Sequence, residues 1–352
     1  MNTSTPRTAH AASAQTPAGD VVLAVDGLSI TFHGDDGDVA VVSDVSFNVR
    51  AGRTLSVVGE SGSGKSVSSL AIMGLLRFEG ADVDARALTL RDRTGTSIDL
   101  LAASPREYRR LRGYEMAMIF QEPMTSLNPS HTVGSQIAEV LTIHRKMSGR
   151  EAREAAIETL TRVGIPDAAR RFDSYPHELS GGMRQRVMIA IALACDPTLM
   201  IADEPTTALD VTIQAQILAE LRRLQGEFGM AMLFITHDLG VVAEIAHDVA
   251  VMYAGQVVEE GSVADVLKRP LHPYTRGLLN SVPRPDRDRT GKLVAIRGRV
   301  PDIRNLPQGC RFHPRCPHAE PGRCDTVVPP LELLEDGRRV RCVRWRELAG
   351  GT

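Results

Sequence analysis

Eight consecutive residues carry the clearest chemistry in this chain: Gly59-Glu60-Ser61-Gly62-Ser63-Gly64-Lys65-Ser66, between an apolar run at Thr54 to Val58 and an apolar helical pattern reaching Leu76. Glycines at this spacing let successive backbone N–H groups turn inward around phosphate oxygens, and the helix N-terminus that follows adds partial positive charge. Lys65 is placed to reach β/γ-phosphates and Ser66 to ligate Mg²⁺. A glycine-rich turn with a chance Lys-Ser is the plainer reading, but the strand–loop–helix context favours nucleoside triphosphate binding. Downstream, the apolar run Leu199 to Ala202 ends in Asp203-Glu204. Asp203 is expected to hold Mg²⁺ through its shell, and Glu204 to orient and polarise an attacking water. Alone, an apolar strand ending in two carboxylates is commonplace; beside the phosphate loop it gains a function.

Near-continuous apolar strands must position these groups. Thr54 to Val58, Met116 to Phe120, Leu199 to Ala202, Met232 to Ile235 and Val249 to Tyr253 read as buried parallel strands separated by helices, which indicates an α/β fold with a sheet covered on both faces. Before them, VVLAV from Val21, LSITF and Val45 to Val49 alternate apolar and polar residues as half-buried antiparallel strands do. From about Val133 to Phe172 the periodicity is helical with charged faces, a helical insertion. After about residue 283, Pro, Arg and Cys accumulate, which suggests a linker and a small, separately organised C-terminal module.

Composition narrows the function. A formal net charge of −2 over 352 residues argues against a surface built for nucleic acid, and 4% aromatics argue against base-stacking platforms. No apolar run approaches the roughly 18–20 residues that span a bilayer. Residues 1 to about 20 lack the apolar core of a secretory signal and read as a disordered extension. With five cysteines and no export signal, the expected setting is a reducing, cytosolic one.

Leu179-Ser180-Gly181-Gly182-Met183-Arg184-Gln185-Arg186 heads a helix just before the acidic strand; alone, it is an ordinary helix cap that could bind an anion. The whole order, however, resembles the ATP-binding cassette (ABC) ATPases over about Leu23 to Glu260, a P-loop NTPase fold. Gln121 resembles that family's Q-loop, Ala208-Leu209-Asp210 its D-loop, and His237 its switch histidine. The resemblance implies ATP and Mg²⁺ as ligands and a head-to-tail pair of cassettes. Ser180, Gly181 and Gly182 would touch a neighbour's γ-phosphate, and Gln185 and Asp210 are counted with the cofactor-binding residues. Gln121 would contact Mg²⁺ or the attacking water, and His237 would hold the γ-phosphate and link it to Glu204. Phe32 is the candidate to stack on adenine, although a strand Phe is more often core. Met183 stands where the family usually has Gln.

The implied boundaries are 21–265 for the ATPase domain, with a helical subdomain at about 122–180, and 266–352 for a C-terminal region. One motif set, no membrane helices and only 112 residues between Ser66 and Leu179 point to the separate ATPase subunit of an importer. The segments Leu179 to Leu218, His272 to Pro283 and Gly309 to Cys324 resemble the dipeptide, oligopeptide and nickel importer ATPases, in particular the "D" subunit of two non-identical ATPases. The implied partners are an "F"-type ATPase in a heterodimer, two permease subunits and an external solute-binding protein, with no nucleic acid. The implied location is the cytoplasmic face of the membrane. A nickel cargo and, more remotely, a soluble ATPase acting on nucleic acid are the alternatives.

Cys310, Cys316, Cys324 and Cys342 follow a C-x5-C-x7-C-x17-C spacing. Four thiolates could ligate a [4Fe–4S] cluster or zinc; the missing paired knuckles lower zinc, although His313 and His318 could join a mixed site. Disulfides are disfavoured by a reducing setting. The resemblance favours [4Fe–4S], and stapling a module too small for its own core is the plain role. Cys195 reads as a small buried residue. From Arg284 to Arg315, nine Lys/Arg stand against three Asp, read as a solvated linker face.

Overall fold

The computed structural model describes residues 19–35, 37–121, 126–207, 209–281 and 295–349. The first is an antiparallel sheet of β1 (Val21–Phe32), β2 (Val39–Arg50), β4 (Ala81–Asp84), β5 (Ala87–Arg91) and β6 (Ser97–Asp99), in the order β2-β1-β5-β6 with β4 also on β1. The VVLAV and LSITF runs form one strand instead of two. Gly27, at φ 65°, sits where the register with β2 shifts between Val25 and Leu28, so a bulge absorbs what the sequence presents as a break. β4, β5 and β6 have no counterpart among the expected strands because they are short and only alternately buried.

The second sheet runs β12-β13-β11-β10-β3-β9-β8-β7. Here β3 is Thr54–Val58, β7 Met116–Ile119, β8 Leu199–Asp203, β9 Ala231–Thr236, β10 Asp248–Tyr253, β11 Gln256–Ser262, β12 Glu332–Leu333 and β13 Arg339–Val340. β10, β3, β9, β8 and β7 pair in parallel. Every residue of β3, β8 and β9 is buried, as strands covered on both faces must be. Their alternation divides the core. Leu55, Val57, Ile201 and Leu233 pack with Val25, Leu28 and Phe47 of the antiparallel sheet, while Met200, Ala202, Met232 and Phe234 pack with Val187 and Leu221 of the helices opposite.

The expected helical insertion holds the helices Val133–Arg145 and Gly149–Arg162. The second begins on a capping box in which Ser148 and Glu151 satisfy each other's backbone amides. Residues 122–125, where the helical subdomain was expected to start, and the expected extension at 1–18 lie outside the described residues. Among the described residues no helix is long and apolar enough to cross a membrane.

The C-terminal region is not separately organised. β13 pairs with β11 through Glu259–Val340 and Glu260–Arg339, which continues the central sheet. A segment this small cannot bury a core of its own, so it shares one. Phe312 packs with Tyr253 of β10 and Tyr274, at ring-centroid distances of 5.2 and 5.4 Å.

Candidate functional site

The phosphate loop lies between β3 and the helix Lys65–Ile72. Gly62 and Gly64 adopt φ of 76° and 95°, which turns the backbone as the glycine spacing anticipated. Gly59 is required for a different reason: a Cβ there would lie 2.1 Å from the Met252 carbonyl oxygen. Lys65 is 6% exposed, and its Nζ donates to the Gly59 and Glu60 carbonyls at 2.9 and 3.0 Å and to Ser63 Oγ at 3.3 Å. Burial pushes its pKa down, while Glu204, Asp203 and Glu60 oppose that shift. Ser61 and Gly62 are exposed at the tip of the loop, and Ser63 is buried.

β8 brings the acidic pair to the same end of the sheet. Ser66 Oγ donates to Asp203 Oδ1 at 3.0 Å. Burial pushes the Asp203 carboxyl up and Glu204 adds to it, against the Ser66 bond and the Lys65 charge. A hydroxyl and a carboxylate beside the loop are the hard oxygen donors that Mg²⁺ takes, so this pair fits the ion carried by a nucleotide. Glu204 follows with φ 46°, an unusual conformation for a non-glycine residue. That turn presents its carboxylate to three elements. Oε2 accepts from Gln121 Nε2 at 3.0 Å and Thr207 Oγ1 at 2.9 Å, and Oε1 lies 3.2 Å from His237 Nδ1. Burial opposes ionisation, yet the bonds from His237 and Thr207 hold the carboxyl below the usual glutamate range. The group is therefore an anion available to orient a water.

Thus Lys65, Ser66, Asp203, Glu204, Gln121 and His237 converge. Thr207 joins them, unforeseen from the sequence, its signal being a hydroxyl three residues after Glu204. Ser180 caps the helix Gly181–Leu193, its Oγ accepting from Met183 N at 3.4 Å, and both Ser180 and Gly181 are exposed. A Cβ on Gly182 would lie 2.9 Å from Ile213 Cγ2, so this helix start packs closely on the helix Val211–Phe228. Asp210 caps that second helix by accepting from Ile213 N at 2.9 Å; Ala208 lies outside the described residues. Gln185 is 1% exposed and its Nε2 has no partner among the described residues, so the expectation that it touches nucleotide does not hold: it faces the core. Phe32 is half-buried and packs on the core of the antiparallel sheet, at the end of β1.

Cys310, Cys316, Cys324 and Cys342 carry free thiols and together line one cavity of about 20 Å³. Burial, with the neighbouring thiols adding, pushes Cys310 up to about 11. Burial likewise pushes Cys342 up to about 11. Among the described residues no group of three or more His, Cys, Asp or Glu is disposed to hold a metal ion. His313 and His318 line the same cavity. Cys195 is fully buried, as expected. The basic stretch is not simply solvated: Arg315 is 9% exposed and Arg311 bonds to the Ala254 carbonyl and Ser43 Oγ. Its residues 284–294 lie outside the described ones.

Residues 42–207 match the ABC transporter family and residues 258–324 the oligopeptide/dipeptide transporter C-terminal region. The chain is 51% identical to the oligopeptide transport ATP-binding protein of Bacillus subtilis, over 93% of this chain and 97% of that one. It is 50% identical to the dipeptide transport ATP-binding protein of Escherichia coli, over 91% and 96%. A solved dimeric post-hydrolysis state of an ATP-binding cassette, bound to ADP and Pi, matches with a TM-score of 0.59 and 28% identity, covering 68% of this chain and 98% of that one. Coming after the convergence of phosphate loop, acidic strand, glutamine and histidine, these likenesses place the chain in the family of ABC transporter ATP-binding proteins, in the branch that carries the oligopeptide/dipeptide C-terminal region.

Proposed function

We propose that this chain hydrolyses ATP to drive an importer of di- or oligopeptides, seated at the cytoplasmic face of the membrane. The observation that carries the reading is Glu204, an ionised carboxylate held by Gln121, Thr207 and His237 beside the Lys65 loop. In this reading Lys65 and the loop amides take the β/γ-phosphates, and Ser66 and Asp203 hold Mg²⁺, which neutralises phosphate charge. Glu204 aligns the attacking water, and His237, beside it at 3.2 Å, holds the γ-phosphate. The peptide cargo rests on the oligopeptide and dipeptide transport for which the relatives are named; nickel is the nearest alternative.

The site is completed by a second, "F"-type ATPase. The exposed cap of Ser180 and Gly181 supports this, since exposed N–H groups at a helix start suit a phosphate brought by another chain. Two permease subunits and an external solute-binding protein complete the importer. The four cysteines of the C-terminal region are read as ligands of a [4Fe–4S] cluster, with zinc the alternative. The donor set suits either. All four thiols line the same cavity, of about 20 Å³, which supports reading them as one set.

The test is Glu204→Gln in the assembled, reconstituted complex supplied with labelled peptide. ATP turnover and uptake should fall by roughly 10²–10⁴-fold while ATP still binds and the closed ATPase pair accumulates. Turnover equal to that of the parent complex would overturn the assignment.

A further inference from the structure

Glu60, the second residue of the phosphate loop, is held on three sides. Its carbonyl accepts from Lys65 Nζ, within the loop itself. Its amide donates to the hydroxyl of Tyr274 at 3.0 Å, and its carboxylate takes both arms of Arg315, at 2.7 and 3.1 Å. The last two partners come from the C-terminal region, 214 and 255 positions away. Arg315 is itself fixed. Its side chain is 5% exposed, its Nε donates to the Arg297 carbonyl at 3.0 Å, and it adjoins Cys316 in the chain. A forked guanidinium–carboxylate contact of this burial is directional and loses much when one partner is removed.

We propose that Arg315 and Tyr274 are positioning residues for the phosphate loop, so that nucleotide affinity depends on the contacts that the cysteine-bearing C-terminal region makes with Glu60. Neither touches the nucleotide. Tyr274 holds the peptide unit before Glu60 and Arg315 holds its carboxylate, and together they set where the Glu60 carbonyl that receives Lys65 rests and how the loop amides point. A nucleoside triphosphate and this docked region then favour the same loop geometry, and each strengthens the other's hold. The proposal rests on the nucleotide-site reading above.

The test is titration calorimetry of the full-length chain with the non-hydrolysable analogue AMP-PNP and Mg²⁺. Arg315→Ala should weaken binding about 5–50-fold, in the range usual for coupled sites. Glu60→Gln, which leaves the C-terminal region untouched and remains informative if Arg315→Ala does not fold, should weaken binding in the same direction. The double variant should bind no more weakly than Arg315→Ala alone, because both changes remove one contact. Arg341→Ala is the control: Arg341 ties the same region to Asp44 and the Val257 carbonyl, and bonds to the Pro329 carbonyl within the region, without reaching Glu60. It should leave the affinity within about twofold. Parental affinity in both single variants, additive losses in the double variant, or an equal loss in Arg341→Ala would each overturn the proposal alone. A parental chain that bound no AMP-PNP would overturn the nucleotide site and this inference together.

Discussion

Glu204 shows how much of the site is decided by single residues. Its backbone pays a conformational cost at φ 46° to bring one carboxylate within reach of Gln121, Thr207 and His237. Gly59 has the opposite character, required for what it lacks. In Gly59→Ala the new methyl would meet the Met252 carbonyl at 2.1 Å, and the β3–β10 seam would have to part. We expect a loss of about 1–3 kcal/mol in urea unfolding together with weakened AMP-PNP binding. Stability equal to the parent chain would contradict this. Lys65, Ser66, Asp203 and Glu204 were legible in the sequence because phosphate chemistry needs those types at short, fixed spacing. Tyr274 and Arg315 were not, since their contact with Glu60 exists only after more than two hundred residues have folded back. Gln185 was misplaced for a related cause: membership of a motif does not say which side of its helix faces the core.

At the scale of elements, the buried parallel strands announced themselves as unbroken apolar runs, whereas β1 was read as two strands because a bulge at Gly27 interrupts its alternation. β3, which ends in the phosphate loop, is anchored at its start. The Thr54 amide donates to His247 Nδ1 at 2.9 Å, a bond available only to the unprotonated nitrogen. Burial, then the nearby Arg53 charge, lowers the His247 pKa below its ordinary 6.5. Protons are therefore taken up first by the unfolded chain as pH falls below that value. The contribution of neutral His247 is present above it and is lost on acidification. Between about pH 7 and about pH 5, the urea midpoint of the parent chain should fall further than that of His247→Asn. Identical pH profiles would show that this anchor does not titrate with folding.

Over the whole molecule, the C-terminal region is stitched into the ATPase by side chains adjoining the cysteines: Arg311, Arg315 and Arg341 each neighbour one of them and each reaches into the cassette. If the thiols hold metal, anaerobically purified full-length protein should contain iron with visible absorption, or zinc without it, at one site per chain. Metal-free protein of parental stability would leave the cysteines as packing groups only. The same region also governs how the large sheet ends. Its outermost strand, β12, has only two residues, and Glu332 within it is engaged by Trp345 and Arg346. Short, charged borders of this kind offer a poor template to a passing β-strand. The segment that carries β12 and β13 thus closes the β11 side of the large sheet against recruitment into intermolecular sheets, so that its border does not seed aggregation.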